Sequence, residues 1–230
     1  MGVAARARQV PTLLRLRRVL AERRRYDHAD HHRRAAWRAE RLRALRDHAV
    51  STSAWYRTRH AGLERAPLAE LPVLTRADLV DHFDDVVTVA GCTAGAAHAA
   101  LAAADGRPPT VAGLRIAASS GSSGRPVLLA LDGDEWVGRI ANAARCQQLA
   151  GPLPGTGPVR LARIGSPAPW HLSLQVGATI DDPRRPSCSL SAADPVDRLV
   201  DELSAWGPTV LSGYPSGLRA PAAEQLGGGP

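Results

Sequence analysis

LRIAASSGSSGRPVLLAL, residues 114–131, consists of two short apolar runs on either side of a bend of serine and glycine. Residues 114–118 and 127–131 each have the length and composition of a buried strand. The bend between them, SSGSSGRPV at 119–127, has almost no side-chain bulk, so its backbone N–H groups can come close to an anion. Ser119, Ser120, Ser122 and Ser123 add hydroxyl donors, Gly121 and Gly124 give the backbone freedom, and Arg125 adds a permanent forked cation ahead of the stiff Pro126. A bend of this kind suits a polyphosphate. The same composition also makes flexible linkers, but linkers separate domains, whereas this one is held tightly between two strands. It is not a Walker loop, which needs GxxxxGK[ST] opening a helix; here a proline and a strand follow.

Outward from the bend, strand and helix signals alternate. Thr75 with Asp78 three residues on reads as the N-terminus of a helix. The alanine-rich 93–104 is helical or irregular. Asp132 or Asp134 can cap a helix running to about Leu149, with Trp136, Ile140 and Ala144 on one face. Strands are expected near 159–164 and 208–212, with helices at 195–206 and from Pro215 to about Leu226. The alternation indicates an α/β fold.

Four segments in order resemble adenylate-forming enzymes of the phenylacetate–CoA ligase type. SSGSSGRP is similar to their phosphate loop. RLRALRDHAVSTSAWYRTRHAGL (41–63) resembles their N-terminal helix running into a "WYR" element, LAELPVLTRADLVDHFDDVVT (68–88) their "LP.LTK" segment, and WGPTVLSGYPSGL (206–218) their strand ahead of a "PS" turn. The resemblance covers roughly residues 35–228. It implies an α/β fold, the incomplete large N-terminal domain of an adenylate-forming enzyme over 35–230, preceded by an arginine-rich helical extension over 1–34. It also implies a reaction in which a carboxylic acid and ATP give an acyl-adenylate, which passes its acyl group to CoA. Ser119 to Arg125 would hold the β- and γ-phosphates. Trp170, His171 and Tyr214 would line what is present of the acyl pocket, because ARIGSPAPWHLS (162–173) and the "PS" turn approach that site in the family. ATP, Mg²⁺ and CoA are the implied cofactors.

The chain departs from the family in two ways. It contains no lysine: its 29 basic residues are all arginine, and Val127 stands where the family often has a lysine. The family's adenine-binding motif, its Mg²⁺-holding glutamate and its lysine-bearing C-terminal domain lie downstream of the "PS" turn, beyond what these 230 residues match. The expectation is therefore a ligase fragment inactive by itself, its open sheet edge completed by a complementary chain.

Charge raises an alternative. Residues 1–65 carry 17 arginines against 6 acids, while the remainder is net negative, giving +7 for the chain. TLLRLRRVLAERRR (12–25) places Leu13, Leu16 and Leu20 near helical spacing among arginines, a pattern that suits nucleic acid or an anionic membrane surface. No zinc-finger spacing and no aromatic RNA-binding strand accompanies it. His28 and His32 fall at i, i+4 if one helix carries both, a spacing able to bind metal, but neighbouring arginines repel cations, and no metal site is expected. Cys92, Cys146 and Cys188 are odd in number and lack CxxC spacing, which points to free thiols in a reducing cytoplasm. No apolar run is long enough to span a bilayer, and no secretory leader is evident.

Overall fold

The computed structural model describes residues 3–119, 125–149, 159–179 and 185–227. The fold is mixed α/β and divides into two compact units, Met1–Ala104 with Pro109–Arg145, and Asp105–Pro108 with Cys146–Pro230. The arginine-rich first 34 residues belong to the first unit.

That unit opens with helix α1 (Val3–His28) and α2 (His31–Thr52). The chain breaks between them because Asp30 caps α2: its carboxylate accepts the Arg33 N–H at 2.8 Å. His28 therefore ends one helix while His32 begins the next, so the two do not form the single-helix i, i+4 pair considered from spacing. Ser53 separates α2 from α3 (Ala54–Arg59). It is fully buried, donates to the Asp85 carbonyl at 2.6 Å and accepts the Tyr56 N–H. After a 3₁₀ turn at Leu68–Glu70 come α4 (Arg76–Asp81), α5 (Phe83–Val86) and α6 (Ala94–Ala102). The expected Thr75 cap is present as a reciprocal box: Thr75 Oγ1 accepts the Asp78 N–H and Asp78 accepts the Thr75 N–H at 2.8 Å. The hydroxyl and amide of Thr75 hold the Asp78 carboxyl below its ordinary range.

The three strands of this unit, β1 (Thr110–Val111), β2 (Leu114–Ala118) and β3 (Leu128–Leu131), form an antiparallel sheet in chain order. β2 and β3 are a hairpin registered from Arg115↔Leu131 to Ala118↔Leu128. Helix α7 (Gly133–Leu149) follows at once. Asp132 is its cap, accepting the Asp134 and Glu135 N–H groups at 2.8 Å, and its own N–H donates to Glu135 at 2.9 Å. The expected apolar face is buried at Trp136 and Ile140, joined by Val137 and Ala141. α1 runs parallel to α7, tied by Arg15 to Asp134 near one end and by a fork from Arg145 to Asp27 at the other. That fork holds the Asp27 carboxyl below its usual range.

The second unit is a three-stranded parallel sheet. Its elements are β4 (Leu161–Gly165), α8 (Leu172–Thr179), β5 (Ser187–Ser191), α9 (Val196–Trp206), β6 (Val210–Gly213) and α10 (Pro215–Leu226). The spatial order is β5-β4-β6, so the chain moves to one side of β4 and then back across it. Parallel pairing needs such crossovers. Alternation along β4 separates the faces: Ala162 and Ile164 are buried, while Arg163 rises on the other side. Gly213 and Gly217 pack on Ile164, which puts α10 on that face; Gly177 of α8 packs on the Arg163 guanidinium, which puts α8 on the opposite one. α9 packs beside α10 and ends at Gly207, whose φ of +60° is the left-handed cap that glycine favours. β5 and α8 were not anticipated from sequence.

Candidate functional site

Two candidate sites, one in each unit, involve some of the residues expected to do chemistry. The first is the bend of the β2–β3 hairpin. Ser120, Gly121, Ser122, Ser123 and Gly124 lie outside the described residues; Ser119 and Arg125 are at its two ends. Ser119 closes the stem twice: its N–H donates to the Val127 carbonyl at 2.9 Å, and its Oγ accepts the Val127 N–H at 2.8 Å. Among the described residues, the Ser119 hydroxyl proton meets no acceptor. Arg125 is exposed and pairs with Asp81 at 2.6 Å, while its carbonyl accepts from the Arg76 guanidinium. Ile116 and Ala117, on opposite faces of the stem, are both buried, and the Arg115 guanidinium stacks over the Trp136 ring at 4.1 Å. The described ends of the bend thus bring a serine hydroxyl and a guanidinium to the top of the hairpin stem.

The second site is a cavity of ≈ 460 Å³ at the carboxyl ends of the parallel strands. It sits where the strand order reverses about β4, the position at which open parallel sheets bind ligands. Each strand sends residues into it: Arg163, Gly165 and Ser166 from β4 and its exit, Ser189 and Ser191 from β5, Ser212 and Tyr214 from β6 and its exit. Ser173 and Leu174 come from the first turn of α8. Tyr214, expected as a pocket residue, is there and half exposed. Trp170 and His171 occupy the turn between β4 and α8 and are not among the residues that line the cavity. His171 is buried just ahead of α8, its carbonyl accepting the Gln175 N–H at 3.0 Å. Its place is that of a buried turn residue that helps seat α8.

Burial pushes the His171 pKa below the ordinary histidine value of 6.5. The folded chain therefore resists a proton that the unfolded chain accepts, and stability falls as pH drops below about 6.5. Urea midpoints measured between pH 7.5 and 5 are expected to decline on the acid side, and His171→Gln is expected to flatten that part of the decline. An unchanged slope would show that His171 is not the responsible group.

Local sequence does not mark Arg163, Ser189, Ser191 or Ser212 as site residues. One signal for the serines existed: SCSLS at 187–191 alternates hydroxyls with larger apolar side chains, the period-two pattern of a strand with a polar face. No group of three or more His, Cys, Asp or Glu side chains able to hold a metal ion is present among the described residues. The three cysteines are free thiols, Cys92 buried and Cys146 exposed. No helix among the described residues is long and apolar enough to cross a membrane. No family model matches the chain, and no curated protein or solved structure is significantly similar to it.

Proposed function

We propose that the chain is the phosphate-gripping, acid-binding part of an acyl-adenylating acid–thiol ligase of the phenylacetate–CoA ligase type. The observation that carries this reading is the hairpin. Ser119 and Val127 tie together the two ends of the serine–glycine stretch on an antiparallel stem, and the backbone N–H groups of such small residues can come close to a phosphate. The pocket at the parallel strand ends supports it by offering a separate place for the acid. In the reaction, a carboxylate oxygen bonds to the α-phosphorus of ATP as the bond to pyrophosphate breaks, and the thiol of CoA then displaces AMP from the acyl group. These 230 residues contain no lysine, so an ammonium that stabilises the reacting charges has to come from outside them, and by themselves they grip phosphate without completing the reaction.

The reading is tested by titrating the chain with ATP and with inorganic tripolyphosphate while following the amides of residues 119–127. Both are expected to bind in the millimolar range with similar affinity, because the triphosphate provides the contacts. Asp81→Asn releases the Arg125 guanidinium and is expected to tighten binding about threefold, whereas Arg125→Gln weakens it about fivefold. Absence of any shift at these amides, with both variants indistinguishable from the parent, would overturn the phosphate grip. The alternative of nucleic-acid or membrane binding through α1 has less support. Leu13 and Leu14 are exposed there but Leu16 is buried, so the leucines present no single apolar stripe.

A further inference from the structure

The cavity at the parallel strand ends is built around a cation that the described chain leaves unanswered. Arg163 is at the middle of β4, in register with Ser189 on β5 and Ser212 on β6, so three polar residues form one row across the sheet. Its guanidinium lies under α8, 2.9 Å from where a Cβ on Gly177 would stand, and the glycine makes the room it occupies. Other half-buried arginines have their charge or donors met. Arg145 forks onto Asp27, Arg160 donates twice to the Trp206 carbonyl, and Arg46 donates to the carbonyls of Leu63 and Ala66. For Arg163, among the described residues, no carboxylate lies within ion-pair distance and no acceptor takes a hydrogen bond.

A half-buried guanidinium without an anionic partner among the described residues is costly, and serine hydroxyls can hydrogen-bond it without neutralising it. A planar carboxylate matches the guanidinium fork and supplies the missing charge. The rest of the lining suits an organic body rather than a bare ion: Leu174, Leu190, Pro167 and the Tyr214 ring stand around the same cavity. We infer that this pocket takes an organic acid through a carboxylate forked by Arg163 and flanked by Ser189 and Ser212. This deepens the ligase reading and rests on it in one respect. A carboxylate clamped by a guanidinium is stabilised as the anion and so less basic and less reactive toward phosphorus. The group on Arg163 is therefore not the one activated, and the substrate is an acid with a second carboxylate. Arg163 is then a specificity-determining residue.

The test uses the full chain and three probes of one shape: benzene-1,4-dicarboxylate, its half-amide and its diamide, followed at the amides of Ser189 and Ser212. The diacid and half-amide are expected to bind within about threefold of each other, and the diamide about tenfold more weakly, because the amide leaves the guanidinium uncompensated. Arg163→Gln should abolish the difference between acid and amide. Gly177→Ala, which keeps the charge but crowds the guanidinium, should weaken the acids while the diamide is unaffected. Equal binding of all three probes, or retention of the acid preference in both variants, would overturn the inference. So would inorganic phosphate displacing the diacid at lower concentration, which would make the site a phosphate site. These readouts are independent of ATP. Failure of the triphosphate titration with success here would remove the ligase reading and leave the carboxylate site standing.

Discussion

Trp136→Ala is expected to destabilise the chain by about 3–5 kcal/mol, the range for emptying a buried indole site, and to loosen the serine–glycine bend along with it. Trp136 is on the first turn of α7, 5% exposed, with the Arg115 guanidinium of β2 stacked on its ring. It thus joins the helix to the strand that carries the bend. Removing the ring leaves a cavity beneath β2 and strips the Arg115 stem of its packing surface. The indole N–H is buried with no hydrogen-bond partner among the described residues. Trp136→Phe keeps most of the ring and deletes a donor whose unmet burial costs about 1–3 kcal/mol. The phenylalanine variant should therefore fall within about 1 kcal/mol of the parent, the relieved donor offsetting the smaller ring. Chemical unfolding gives both numbers, and amide exchange at Ile116–Ser119 and Val127–Leu131 shows whether the hairpin opens in the alanine variant alone. If alanine and phenylalanine cost the same, the buried volume of the ring is not what joins α7 to the hairpin.

The elements readable from sequence were those with local chemistry at their ends. Thr75 with Asp78, Asp132 before α7 and Pro215 opening α10 announce helices through capping groups that act within four residues. The β2–β3 hairpin was legible because LRIAA and VLLAL are apolar on both sides of a bend that cannot itself be strand. β5 was missed because SCSLS has no β-branched or aromatic residue; it is a strand because β4 pairs with it along five residues. α8 was missed because LSLQVGAT contains Val, Gly and Thr, weak helix formers. Tertiary burial of Gln175, and of His171 ahead of it, holds that segment in place. The break at Ala29–Asp30 lies among arginines and histidines with no glycine or proline to mark it, and it is made by the Asp30 side chain capping α2.

The candidate site divided along the same line. Serine–glycine bends advertise themselves in composition, so Ser119 and Arg125 could be named from the sequence. That Arg125 pairs with Asp81 could not, because 44 residues separate them. Arg163 was invisible for a different reason. A strand arginine is ordinarily a solvent-facing residue, and what turns this one into a pocket floor is the absence of a side chain at Gly177, on a helix that the local sequence does not announce. Function in an α/β sheet is written at strand ends, where residues distant in sequence meet; local propensity does not reach that far.

Gly213 makes the same point in energetic terms, and its substitution is the second large expected effect. A Cβ at Gly213 would stand 2.6 Å from the Ile164 carbonyl oxygen, with Ile164 Cβ and Leu218 Cδ2 each at 3.3 Å. The first of these is backbone in the central strand and cannot step aside without parting β4 from β6. Gly213→Ala is therefore expected to cost about 3 kcal/mol or more, at or beyond the upper end for overpacking, and to open the pocket by displacing β6 and Tyr214. Gly165, the last residue of β4 and part of the same cavity lining, is the matched control. A Cβ there meets nothing within 4 Å. Gly165→Ala should leave stability unchanged or raise it by about 0.5 kcal/mol through the narrower unfolded ensemble. The two variants make the same chemical change on neighbouring strands of one sheet, so composition and helix or strand propensity predict equal effects for them. Thermal unfolding, with amide exchange across Leu161–Gly165 and Val210–Gly213, separates the cases. A difference below about 1 kcal/mol would mean that β6 shifts to accept the methyl group, and that the close approach of Gly213 to Ile164 does not fix the register from which the pocket is built.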